Sequence, residues 1–70
     1  MSNEKLVERL ERMYPEGARV KLIHMDDVQS PPPGTLGTVD LIDDVGTIHV
    51  TWDNGSTLGV AYGENKIIRI

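Results

Sequence analysis

The chain contains no cysteine and no phenylalanine, and its aromatic residues stop at Tyr14, Trp52 and Tyr62. Without thiols there is no disulfide to staple a small fold and no Cys-ligated zinc to hold one. Scarce aromatics argue against the stacking platforms that single-stranded nucleic acids use, and against a groove for proline-rich peptides. No stretch approaches the roughly 20 apolar residues of a membrane span. Met1 to Tyr14 is charged throughout, so it does not read as a signal peptide. These absences predict a small cytoplasmic protein, not membrane-bound, held together by packing or partly by self-association.

Basic residues are missing from the middle of the chain. Lys5, Arg9, Arg12, Arg19 and Lys21 precede Leu22, and only Lys66 and Arg69 follow Asn65. The interval between carries seven acids, Asp26, Asp27, Asp40, Asp43, Asp44, Asp53 and Glu64. The net charge of −4 is therefore unevenly spread, which bears on partners more than on fold.

Seventy residues make one domain, 1–70, that buries about 60% of its unfolded surface. A core of that size supplies only ~3–5 kcal/mol net. Its centre reads as a β-hairpin, two β-rich runs from Thr47 to Val60 around Asp53-Asn54-Gly55. A two-residue Asn-Gly loop would pair Thr51 with Leu58 and put the apolar residues of the two strands on opposite sides. A three-residue loop with Gly55 in the left-handed conformation pairs Trp52 with Ser56, Val50 with Leu58 and Ile48 with Val60, giving one apolar face. Trp52, Asn54 and Gly55 are thus structural residues.

Residues 3–14 predict a helix, with Leu6, Val7, Leu10, Met13 and Tyr14 on one face and Ser2 or Asn3 as its cap. Pro15 and Gly17 end it. Its apolar face needs cover, from Ile23 and Ile67 of its own domain or from a homodimer through the helix. Ala18 to Met25 is the first strand, with Ala18, Val20 and Leu22 inward. The loop from Asp26 to Gly34 carries three prolines, and Pro33-Gly34 suits the centre of a type II turn. Thr35 to Ile42 is the second strand, Val39 and Leu41 inward, with Gly37 marking a bulge or bend. Tyr62 to Asn65 is a short, 3₁₀-like turn, and Lys66 to Ile70 is the last strand with Ile68 and Ile70 inward.

Five short strands with a bent second one predict a mostly β fold, a small barrel over 18–70 preceded by one short helix. The order of long loop, short turn, tight hairpin and final turn resembles an SH3-like barrel. An OB-like barrel would want its helix between the third and fourth strands.

Several segments also resemble a known family. They are Tyr14-Pro15-Glu16-Gly17-Ala18-Arg19-Val20, Pro32-Pro33-Gly34-Thr35-Leu36-Gly37-Thr38-Val39, and Trp52-Asp53-Asn54-Gly55-Ser56. With Leu22 to Asp27 and Asp43 to Val50, they look like a family of short bacterial and mobile-element proteins classed as a domain of unknown function. The resemblance spans about residues 14 to 65 and implies no activity.

The chemistry of the residues points the same way. Ser2, Ser30 and Ser56 lie in no strand-to-helix elbow, and Gly34-Thr35-Leu36-Gly37 precedes a strand rather than a helix, so no enzyme and no cofactor are expected. His24, Asp26, Asp27 and His49 include metal-ligand types, but Asp26 or Asp27 capping loop amides is the better reading, and no metal is expected. The Asp26–Gly34 loop and the Asp43-Asp44 turn correspond to the loops that frame the groove of SH3-like barrels. Asp26, Asp27, Asp43 and Asp44 therefore make an acidic surface for a protein partner with a basic face. The alternative is a nucleic-acid-associated SH3-like accessory domain of the KOW type, using Arg19, Lys21, Lys66 and Arg69, which is a small patch for tracking phosphates.

Overall fold

A computed structural model describes residues 3–70, so the Ser2 alternative for the helix cap lies outside the described residues. Helix α1 (Glu4–Met13) is followed by strands β1 (Arg19–His24), β2 (Leu36–Ile42), β3 (Thr47–Trp52), β4 (Val60–Ala61) and β5 (Lys66–Arg69). The strands form one antiparallel sheet in the order β4-β3-β2-β1-β5. One face carries the core, Val20, Leu22, Val39, Ile48, Val50, Trp52, Val60 and Ile67, with Leu10 and Ala18 added from outside the strands.

The hairpin has the register of the three-residue loop. Ile48 pairs with Val60 and Thr47 with Ala61. Gly55 N donates to Trp52 O at 2.9 Å and Trp52 N donates to Ser56 O at 2.8 Å, with Gly55 at φ +93°. Asn54 tightens the loop by accepting the Ser56 N–H on Oδ1 at 3.0 Å. The rung expected between Val50 and Leu58 does not form as a ladder pair. The Leu58 carbonyl instead accepts the indole N–H of Trp52 at 3.0 Å, and residues 56–59 leave the strand conformation.

This leaves β4 only two residues long, and the sheet is not closed into a barrel. Between the β4 and β5 ends there is a single bridge, Tyr62 to Asn65. The link itself is a hydrogen-bonded turn, Glu64 N and Asn65 N both donating to Ala61 O, rather than a 3₁₀ helix.

Two parities differ from the simple alternation. In β2 the register slips between Val39 and Leu41, which makes Asp40 an extra residue and turns Leu41 out to 54% exposure while Ile42 turns toward the core. The bulge is thus at Asp40, not Gly37. In β5, Ile67 pairs with Leu22 and shares its buried face, so Ile68 and Ile70 are outward at 42% and 60% exposure. Ile23 falls where the β1–β5 register slips, and it is exposed rather than roofed by the helix.

Gly37 has a different task. It sits in an uninterrupted row, Val20 to Gly37 to Trp52. A Cβ there would fall 2.6 Å from Val50 Cγ1 and 2.7 Å from Trp52 Cε3. The missing side chain is the space into which the indole packs.

The helix covers this same face. Leu10 is fully buried and Leu6 packs on the core, both coming against Gly46 in the β2–β3 turn. Asn3 holds the cap position without a side-chain capping bond, and Tyr14 N donates to Leu10 O at 2.7 Å before Pro15 ends the helix. At the other end of β2, Thr35 N donates to Pro32 O at 3.1 Å across Pro33-Gly34, the turn its sequence called for.

Gly37→Ala should destabilise by ~1–3 kcal/mol through overpacking, more than Gly55→Ala, whose cost of about 1 kcal/mol is conformational. Urea melts of the two variants against the wild type make the comparison, and the opposite ranking would refute the packing argument. Leu10→Ala should cost ~2–4 kcal/mol, most of the stability of so small a core, visible as a collapse of the thermal midpoint.

Candidate functional site

The acidic residues singled out from sequence fall in two separate connections. Asp26 and Asp27 lie in the loop that leads into β2, and Asp43 and Asp44 lie in the turn that leaves it. The two connections join opposite ends of β2, a strand of seven residues. Asp27 Oδ1 accepts the Gln29 N–H at 2.7 Å, which shapes the loop, and Val28 beside it is fully exposed.

Asp43 is committed to its own turn. Its Oδ1 accepts from Val45 N at 3.1 Å and Thr47 N at 2.9 Å, and its Oδ2 lies 2.9 Å from His49 Nε2. The His49 bond, then the backbone donors, hold the Asp43 carboxyl below the ordinary carboxylate range. Its neighbour Asp44 is exposed and makes no such contact. Asp44 instead lines a cleft of about 430 Å³ with Asn3, Glu4, Val7 and Glu8 from the start of α1.

The metal-ligand types are dispersed too. His24 pairs with Lys66 at the end of β1, whereas His49 pairs with Leu41 in β3 and bonds Asp43. Among the described residues no three His, Asp or Glu side chains group as a metal site.

On the solvent face of the sheet, Arg19 reaches across β2. Its Nη1 donates to Thr38 Oγ1 at 2.9 Å and to Asp53 Oδ1 at 2.8 Å, and its Nη2 donates to Asp53 Oδ2 at 2.6 Å. The forked bond to the guanidinium lowers the Asp53 carboxyl and raises Arg19. Nearby, Thr51 Oγ1 donates to Asp40 Oδ2 at 2.6 Å. Arg19 is therefore neutralised locally, and Lys21, Lys66 and Arg69 remain of the basic patch.

One feature has no counterpart among the residues picked from sequence. Where the sheet stays open, Tyr14 and Tyr62 line a second cleft of about 370 Å³, over Ile48, Val60 and Ile67 and beside Glu64, Asn65 and Lys66. Burial raises the Tyr14 phenol above its ordinary pKa, and the proximity of Tyr62 adds to it. Two of the three aromatic residues thus meet at one seam. Their spacing of 48 residues carries no sign of it, because the meeting depends on β4 being short.

The pH dependence follows from Asp43 and Asp53. Both carboxyls are depressed in the folded state, so their contribution to stability is complete above the unfolded value of about 3.9 and is lost as pH falls through the folded value. Thermal midpoints measured from pH 6 down to 2.5 should fall most steeply below about pH 4. Asp43→Asn should flatten that slope, and an unchanged slope would show that the turn does not titrate with folding.

No helix is long and apolar enough to cross a membrane among the described residues. Comparison with curated proteins and with solved structures gave no match. A family model, by contrast, matches residues 3–70, taking in the helix, the Pro-Pro-Gly-Thr turn and the Trp-Asp-Asn-Gly hairpin together. The resemblance drawn from those two motifs is borne out and extended to both ends of the described chain: the protein belongs to the family of the domain of unknown function DUF4314.

Proposed function

We propose that this domain is a non-catalytic interaction module of the cytoplasm that holds a basic segment of a partner protein. The observation that carries this reading is the cleft between α1 and the β2–β3 turn, with Glu4, Glu8 and Asp44 around Val7. A lysine or arginine can lay its apolar stem on Val7 while its charge meets the carboxylates at the rim. Asp43 supports the site from behind by fixing the turn that presents Asp44. Asp26 and Asp27, at the far end of β2, offer a separate and lesser acidic contact. Each exposed pair is worth less than ~1 kcal/mol, so binding needs several and weakens with salt.

The sheet we read as an opened form of the SH3-like barrel. Its first and last strands, β1 and β5, lie side by side, and the turn after β4 carries one isolated bridge, Tyr62 to Asn65. The nucleic-acid reading rests on the same β1–β5 pairing, which gathers Lys21, Lys66 and Arg69. With Arg19 held by Asp53, three cations make a weak phosphate-tracking surface.

Titration of a labelled octalysine peptide compares two variants that remove the same charge. Glu8→Gln/Asp44→Asn should weaken binding roughly three- to tenfold, whereas Asp26→Asn/Asp27→Asn should leave it nearly unchanged. Equal losses would mean that net charge alone governs the interaction and the cleft does not. Micromolar binding of duplex DNA at physiological salt, lost in Lys21→Ala/Lys66→Ala, would favour the nucleic-acid reading instead.

A further inference from the structure

The strand β5 ends the sheet, and its outer edge faces the seam. Leu22 N donates to Thr35 O at 2.9 Å, and Gly34 N donates to Leu22 O at 2.7 Å, so the peptide groups of Leu22 point toward β2. Ile70 N donates to Arg19 O at 3.0 Å, so those of Arg19 point toward β5. Antiparallel ladders alternate in this sense residue by residue. Ile67, opposite Leu22, and Arg69, opposite Val20, therefore turn their N–H and C=O groups away from β1, toward the free edge. Ile67 also lines the cleft between Tyr14 and Tyr62, and no strand pairs beyond β5 among the described residues. Two cations, Lys66 and Arg69, flank it within four residues and Lys21 lies across from Ile68, against one acid in the cleft lining, Glu64.

We propose that the β5 edge, with the Tyr14–Tyr62 cleft beside it, takes an extended acidic segment of another protein as an added strand. Main-chain bonds to Ile67 and Arg69 fix its path. Alternate apolar side chains settle between the tyrosines, and its carboxylates meet Lys66 and Arg69. Charge selects this occupant over a second copy of the same edge. Two β5 strands side by side would gather Lys21, Lys66 and Arg69 from both copies at one seam. The site is separate from the acidic cleft at α1 and stands or falls without it.

The probe is acetyl-Glu-Val-Asp-Val-Glu-amide, with acetyl-Lys-Val-Lys-Val-Lys-amide as its charge control, added to the full chain. Amide exchange followed by NMR should slow about tenfold at Ile67 and Arg69 when the acidic peptide is 90% bound, and not with the control. Arg69→Gln should weaken the acidic peptide by losing a charge. Arg69→Pro also removes the outward N–H while sparing the bonds to β1, so it should weaken binding several-fold further. Thermal melts check that both variants stay folded. No slowing, equal slowing with the basic control, or equal affinities for the Gln and Pro variants would each overturn the proposal. So would protection of the Ile67 and Arg69 amides that rises with protein concentration alone, since the edge would then belong to a second copy.

Discussion

The packing of one indole into the gap left by one glycine sets the terms for the rest of this domain. Trp52 is the largest fully buried side chain, and it lies over Gly37 with no room for a Cβ between them. Because its ring needs that gap, β2 and β3 must keep their register at this row, Gly37 beside Trp52. Because its N–H is buried, it needs an acceptor, and the Leu58 carbonyl supplies one. Residues 56–59, which carry that acceptor, lie outside the ladder, and β4 is two residues long.

Much of this was legible in the residues. The three-residue loop followed from asking which register puts Ile48, Val50, Trp52 and Val60 on one face, and burial enforces that choice. Helix α1 followed from its apolar spacing, and Pro15 marks its end. The bulges were not legible. An extra residue such as Asp40 looks like any other outward polar position, and only the pairing with β3 reveals that Leu41 and Ile42 have exchanged faces. The same holds for β5. Ile67, Ile68 and Ile70 are chemically alike, so nothing but the partner strand decides which of them is buried.

The candidate sites were legible to different degrees. Acidic residues stood out by composition, but their distribution along β2 depends on which end of a strand each loop joins. Reading the two loops as neighbours came from the likeness to SH3-like barrels, where long loops fold back toward each other. Here the Asp26–Gly34 loop is tied down at Leu22 by Gly34 and Thr35, while Asp43 closes its own turn at the far end. Arg19 illustrates the complementary point. Its charge counts in any tally of basic residues, yet the forked bond to Asp53 pairs it with a carboxylate.

The solitary tryptophan also makes the domain its own spectroscopic gauge. All indole emission comes from a ring shielded from water and bonded to the Leu58 carbonyl, two residues before β4. A shift of that emission to longer wavelength would register water reaching the ring, and with it the loosening of residues 56–59 from Trp52. Rearrangements of the turn around Asp44, at the opposite end of β3 from Trp52, would leave the colour unchanged. Movements at the two ends of the molecule can thus be told apart optically without attaching a label.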